Sequence, residues 1–204
     1  MIRNPNVLFC GENPQIVLTH NDIATAALCY WRCTYSQYGH GQVVVLMLDD
    51  NNAAHTKHPT HAIYTDNAAL ARYVTDAFNR HFEDWEPEPW PTVRPEQARF
   101  AVDSDSRRYQ QLNCYSDGFH IVAKWQDVAT HELRTYPDIN KGGMGVNGDE
   151  HYDLSTVICL CRGGFIEING AVLTGQVTAL ERDGRLMSST FLAFAEVWTK
   201  TQME

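Results

Sequence analysis

The sequence predicts an α+β fold in which the C-terminal half is a strongly curved antiparallel sheet or barrel and the N-terminal half supplies flanking helices. Two patterns support this prediction. Closely spaced β-prone runs with turn dipeptides follow residue 96, and β-branched runs mix with helix-like periodicity before residue 82. A length of 204 residues favours one domain, 1–204. We divide it into a mixed helix and strand part (1–82), a Pro/Trp-rich crossing segment (83–95) and an antiparallel β meander (96–204).

The mixed part is predicted to contain two helices and two strands. Apolar residues recur every three or four positions over 24–35, which favours a helix with Asn21 or Thr19 as its N-cap. The β-branched run 42–48 and the short run 61–64 are typical of strands. Over 67–82 an apolar stripe alternates with charged residues, which predicts the helix that flanks the sheet.

The crossing segment cannot be regular secondary structure. It carries four prolines in the thirteen residues 83–95. Trp85 and Trp90 indicate that it packs over an apolar surface, since two large aromatic side chains in a mobile linker would expose much apolar area to water.

The β meander is predicted from its turns. The dipeptides Asp117-Gly118, Gly163-Gly164 and Asn169-Gly170 each lie between β-prone runs and supply the positive φ angles of tight hairpins. The strands predicted between and beside these turns are 99–103, 109–116, 119–126, 130–136, 153–162, 164–169, 171–174 and 190–199. So many short strands indicate a sheet that closes into a barrel or folds into a sandwich.

Glu196 is the candidate catalytic residue. In a regular strand it shares one apolar face with Phe194 and Trp198, which we expect to contact substrate. A carboxyl group buried there would have a raised pKa and could act as a general acid or base near neutral pH. The alternative is an ordinary ion pair with Lys124, Arg134 or Arg162 on a neighbouring strand.

Four polar and aromatic residues on the predicted strand 109–116 are further substrate-binding candidates. Alternation places one phenol or amide after another on a single face, which could orient a ligand or could simply face solvent. These residues are Tyr109, Gln111, Asn113 and Tyr115.

A histidine cluster offers an alternative metal site. His55, His58 and His61 are spaced by three residues and could bind a divalent metal together with a nearby Asp. Pro59 forbids one continuous helix through them, so their convergence depends on a loop bend. The preferred prediction is that the protein uses no cofactor.

Composition and motifs exclude several classes of function. A net charge of −9 removes the basic surface that nucleic-acid binding requires, and no apolar run approaches the length of a membrane span. The six cysteines are scattered and lack zinc or redox spacing, so we expect them to be free and mostly buried in a cytoplasmic protein. The G-x-G-x-x-G run 143–148 precedes a β run instead of opening a helix, so it does not predict dinucleotide binding.

The function predicted is that of a soluble protein that binds a small apolar or aromatic molecule in a β-sheet cavity. As an enzyme it would be a lyase, isomerase or cyclase that uses Glu196 for proton transfer without an organic cofactor. The alternatives are a metal-dependent enzyme based on the three histidines, a non-catalytic carrier and an assembly subunit. Strands that are apolar on both faces are also consistent with a homodimer.

Overall fold

Strands dominate the residues that the structure describes. The computed structural model describes residues 6–77, 92–105, 108–129, 131–139 and 151–201. Strands account for 68% of the structure, and the helices in the described residues are α1 (Asp50–Thr56) and α2 (Ala68–Ala77). The strands are β1 (Val7–Glu12), β2 (Gln15–His20), β3 (Ile23–Ser36), β4 (Gly41–Leu48), β5 (His61–Thr65), β6 (Pro95–Asp105), β7 (Tyr109–Ser116), β8 (His120–Val128), β9 (Glu132–Ile139), β10 (Tyr152–Ile168), β11 (Ala171–Val172), β12 (Gln176–Val177), β13 (Ala179–Arg182), β14 (Arg185–Ser188) and β15 (Thr190–Lys200).

Nine of these strands close into a barrel. The order around it is β3, β4, β5, β6, β7, β8, β10, β15 and β1, and β1 returns to β3. Of these pairings only β5 with β6 is parallel, and parallel neighbours require a crossover, which here contains α2. β9 continues the line of β8 along the first half of β10, and β13 and β14 form a separate hairpin. The predicted curved sheet is therefore a closed barrel.

The barrel wall separates two apolar layers. The inner cluster has 23 buried members drawn from strands all around the barrel, including Leu28, Leu46, Leu112 and Ile166. The outer cluster lies where α2 packs on the wall and contains Trp31, Val45 and Leu70 among others. Because β3 and β4 are covered on both faces, their side chains alternate between the two clusters.

The prediction of a helix over 24–35 is wrong, because this segment is most of the long strand β3. Its apolar residues recur at helical intervals because both faces of the strand are buried, so that almost every position is apolar. Neither predicted N-cap begins a helix, because Thr19 lies in β2 and Asn21 lies in a turn. Asn21 and Asp22 have positive φ angles, 52° and 63°, and make the tight turn between β2 and β3. The N-terminal half thus contributes barrel strands rather than a pair of flanking helices.

Most of the other predicted elements are confirmed, and one predicted hairpin is wrong. Strands β4, β5, β7 and β15 and the core of helix α2 are confirmed within a few residues, and residues 78–82 of the predicted helix lie outside the described residues. The hairpin at Gly163-Gly164 is wrong, since β10 runs unbroken through it. Gly164 faces the barrel interior opposite Trp125, where a Cβ would stand 2.9 Å from the Lys124 carbonyl oxygen. The turns at Gly118 and Gly170 are confirmed by φ angles of 90° and 84°.

Helix α1 closes one end of the barrel. Asn52 is fully buried, and its Nδ2 donates to the carbonyl oxygens of Thr25 and Thr174, each at 3.2 Å. Its Oδ1 accepts hydrogen bonds from the backbone N and the Oγ1 of Thr174, at 2.8 and 3.0 Å. Ala53 on the same helix joins the inner cluster. The network therefore ties α1 to β3 and to the loop between β11 and β12.

The cysteine prediction is confirmed. All six cysteines are free, and five of them are buried, with Cys10 half-buried. Most of the crossing segment 83–95 and the glycine run 143–148 lie outside the described residues.

Candidate functional site

The inner cluster becomes accessible at the end of the barrel away from α1. Val128 is the last residue of β8, and Val157 and Phe194 are cross-strand partners further along the same wall. Phe100 faces the Tyr30 ring from the opposite wall at 6.3 Å. These four side chains pack against the inner cluster yet are only half-buried, so the cluster is less covered here. The same holds for Phe119, which contacts His58, and for Val177 on β12. We call the four residues the mouth.

Two buried polar side chains inside the barrel have unpartnered atoms. Gln110 is 3% exposed and Thr190 is fully buried, and neither Gln110 Nε2 nor Thr190 Oγ1 has a hydrogen-bond partner among the described residues. Gln110 is paired with Trp125 across β7 and β8, and Trp125 with Gly164 across β8 and β10. The Thr190 side chain lies over Gly164. Both groups therefore flank Trp125.

Trp125 spans the interior. Its indole Nε1 donates to the carbonyl oxygen of Gln15 on β2 at 2.9 Å, although the residue itself belongs to β8. This hydrogen bond fixes the plane of a large, fully buried aromatic ring next to Gln110 and Thr190. The three residues form a small polar and aromatic group within apolar surroundings.

Near the closed end, His58 and Tyr64 form a second polar pair. The Nδ1 of His58 lies 2.6 Å from the Pro59 carbonyl oxygen, and its Nε2 lies 2.7 Å from the Tyr64 hydroxyl. A carbonyl oxygen only accepts, so Nδ1 carries the proton. Burial lowers the pKa of His58 and keeps the ring neutral, so Tyr64 donates its hydroxyl proton to Nε2. Both ring nitrogens are thus occupied.

Glu196 lies in the outer layer and not in the barrel interior. Ala195 has a positive φ of 49°, and the register between β10 and β15 shifts at the same place. This β-bulge changes the alternation along β15. Phe194 therefore packs with the inner cluster, whereas Glu196 bonds to Trp198 of the outer cluster. The expectation that the three residues share one face is wrong for this reason.

The Glu196 carboxylate is held by three donors. Trp198 Nε1 donates to its Oε1 at 2.7 Å, and the side chains of Asn13 and Thr156 also hydrogen-bond to it. Burial raises the pKa and these hydrogen bonds lower it. Burial prevails, so the pKa of Glu196 rises to about 7. The buried thiol of Cys29 lies close enough for the Glu196 charge to raise the pKa of the thiol further.

The four polar candidates on β7 lie on the outer face of the barrel. The Tyr109 hydroxyl donates to Asp103 at 2.9 Å and its ring lies under Lys124, while Tyr115 stacks on His120. The inner face of β7 instead carries Gln110, which sequence reasoning missed. Gln110 is adjacent in sequence to two of the predicted residues, and this adjacency was the available signal. It was not used because the polar face of the strand was assumed to be the face that contacts ligand.

The three predicted metal ligands do not converge. His55 is exposed on α1, and His58 is committed to Pro59 and Tyr64. His61 hydrogen-bonds to Thr60 through its Nδ1. Within the described ranges, no group of three or more His, Cys, Asp or Glu side chains is placed to hold a metal ion.

A separate groove lies outside the barrel, between β9 and the hairpin of β13 and β14. It encloses about 960 Å³, with Ile158, Leu160 and Leu186 among its apolar lining. The guanidinium groups of Arg134 and Arg162 in this groove are paired with Glu132 and Glu181 at 3.3 and 2.8 Å. Such exposed ion pairs contribute little to stability.

Comparisons with known proteins leave the fold and the site to be interpreted from the structure alone. No family model matches the chain, and neither does any curated protein or solved structure. Across its described residues, the chain has no helix with the length and apolar character that a bilayer crossing needs.

Proposed function

We propose that the protein binds a small, largely apolar molecule in the barrel interior, which the molecule enters at the mouth. The observation that carries the proposal is the half-burial of Phe100, Val128, Val157 and Phe194, whose side chains face the interior and yet contact solvent. Large apolar side chains that line a concave, accessible surface are typical of ligand sites.

The size of the barrel supports the same proposal. A barrel of eight strands has an interior that side chains just fill, or that holds one small ligand, and this barrel has nine. Eight of the 23 buried members of the inner cluster are alanine or cysteine, for example Ala98, Ala123 and Cys114. Short side chains on a wide barrel favour a site for a small ligand at the centre.

The experiment is titration with Nile red, an uncharged dye whose fluorescence rises in apolar surroundings. The wild-type protein is expected to bind it with 1:1 stoichiometry, and Phe194→Arg is expected to abolish binding, because a charge in the mouth opposes entry of an apolar molecule. Val172→Arg is the matched control, since Val172 is 52% exposed on β11. Equal binding by both variants would place the site elsewhere and overturn the proposal.

Proton transfer by Glu196 is a second candidate function. The observation that favours it is a carboxyl group, 4% exposed, whose pKa of about 7 allows both protonation states at neutral pH. The reaction class is that of a cofactor-independent lyase or isomerase. The test is exchange of the methyl protons of acetone, a ketone small enough to reach either layer, for deuterium in D2O, followed by NMR. Catalysed exchange that Glu196→Gln abolishes supports this candidate, and equal exchange in both proteins removes it.

A further inference from the structure

The interior of the barrel also indicates which chemical class of molecule it accepts. The unpartnered Gln110 Nε2 and Thr190 Oγ1 both flank the ring of Trp125, and both can donate a hydrogen bond. Buried donors without partners are rare in folded proteins, because each costs free energy that a bound acceptor would recover.

The charge of the barrel interior also limits the class of ligand that it can bind. The inner cluster consists of apolar, tyrosine and cysteine side chains. The bulge at Ala195 turns Glu196 to the outer layer, so this acid does not face the interior. His58 is neutral and has both ring nitrogens occupied. Among the buried residues of the described part of the chain, Glu196 and His58 are the acidic and basic side chains, so the buried inner wall offers no charged partner to an ion, and an ionic ligand would lose its hydration without compensation.

We infer that the ligand is an uncharged, ring-containing molecule with an oxygen acceptor, held against Trp125 by hydrogen bonds from Gln110 and Thr190. This inference rests on the proposed function, since it names the class of molecule for the same interior site. Gln110 and Gly164 are two strand spacings apart, or about 10 Å, with Trp125 between them. Both donors thus lie beside one indole ring, which favours a flat aromatic ligand that carries the acceptor.

The test uses three naphthalenes of matched size. 2-Ethylnaphthalene lacks an acceptor, 2-acetylnaphthalene carries a carbonyl oxygen and 2-naphthoate is charged. Their affinities are measured by displacement of Nile red from wild type, Gln110→Leu and Thr190→Val, with Gln97→Leu on the exposed outer face of β6 as control. We expect each interior variant to weaken the ketone about tenfold and the hydrocarbon less than twofold. We also expect 2-naphthoate to bind wild type at least about tenfold more weakly than the ketone does.

The outcomes separate the inference from the function on which it rests. If wild type binds none of the three compounds, the proposed function itself fails. If the ketone and the hydrocarbon bind but lose affinity equally in the interior variants, the inference is overturned and the interior site stands. A melting temperature of the ligand-free variants equal to or above that of wild type shows that they fold, because each substitution removes an unpartnered buried polar group.

Discussion

The indole of Trp198 donates a 2.7 Å hydrogen bond to the carboxylate of Glu196, two residues earlier on the same strand. Residues two apart in a regular strand lie on the same face. Phe194, however, stands two residues before Glu196 and faces the opposite side of the barrel wall. The bulge at Ala195 accounts for the reversal, and it decides which chemistry faces the interior.

Stability is expected to fall as the pH rises through the Glu196 titration. The pKa of this group is about 7 in the folded protein, above its ordinary value of 4.5. The folded state therefore binds the proton more tightly, and the contribution of Glu196 to the free energy of unfolding is highest below about pH 4.5 and is lost as the pH rises through about 7. Urea denaturation at several pH values should show that the free energy of unfolding of wild type falls by about 3 kcal/mol more over this range than that of Glu196→Gln.

The control for this titration is Glu181→Gln. Glu181 is exposed and paired with Arg162, so its replacement should leave the pH dependence of wild type intact. A Glu196→Gln protein with the same pH dependence as wild type would contradict the raised pKa.

The Tyr64 hydroxyl is expected to stabilise the closed end of the barrel. Tyr64→Phe leaves the buried Nε2 of His58 without its donor, which should cost about 1–3 kcal/mol in the free energy of unfolding. Tyr109→Phe removes a hydroxyl that bonds to Asp103 at the surface and should have no measurable effect. Equal stability of the two variants in guanidinium denaturation would refute the His58 contact.

Asn52 is expected to hold α1 on the barrel. Asn52→Ala deletes four hydrogen bonds to Thr25 and Thr174 and leaves the partly buried backbone N–H of Thr174 without its acceptor, so a loss of about 2–3 kcal/mol is expected. Hydrogen exchange should accelerate over 171–177 in particular. Asn51→Ala, on the exposed side of the same helix, is the control. Unchanged exchange over 171–177 would show that α1 is held by other contacts.

The bulge at Ala195 should respond to backbone preference. Glycine adopts positive φ without steric cost, so Ala195→Gly should leave stability unchanged or raise it by up to about 1 kcal/mol. A β-branched residue is disfavoured there, so Ala195→Val should destabilise. Ala101→Val, at an exposed position of β6, should be neutral. If Ala195→Val also proves neutral in thermal denaturation, the bulge does not depend on this backbone conformation.

Sequence reasoning predicted the elements whose two faces differ, and it also predicted β4, which is buried on both faces but is marked by a β-branched run. Strand β7 and helix α2 each have one buried and one exposed side, so the period of two or 3.6 residues is visible in the sequence. The prediction failed for β3, because burial on both sides removes the period from the sequence. It also failed at Gly163-Gly164, because a pair typical of hairpins lies there within a continuous strand.

Glu196 is buried, as its predicted catalytic role requires, but it lies on the other side of the wall from the one expected. One residue in a bulge reverses every later side chain of a strand, and Ala195 carries no sequence signal for positive φ. Gln110 was missed because the polar face of the strand was taken as the ligand face, whereas Gln110 lies on the apolar face with Leu112 and Cys114. The catalytic role predicted for Glu196 and the homodimer stay predictions.

The most direct measurement of ligand position is an NMR experiment on methyl-labelled protein with bound 2-acetylnaphthalene. Binding inside the barrel predicts intermolecular NOEs from the ligand ring to the methyl groups of Leu112, Ile166 and Leu192 in the inner cluster. NOEs confined to Leu133 and Leu186, which line the groove beside β9, would contradict the account.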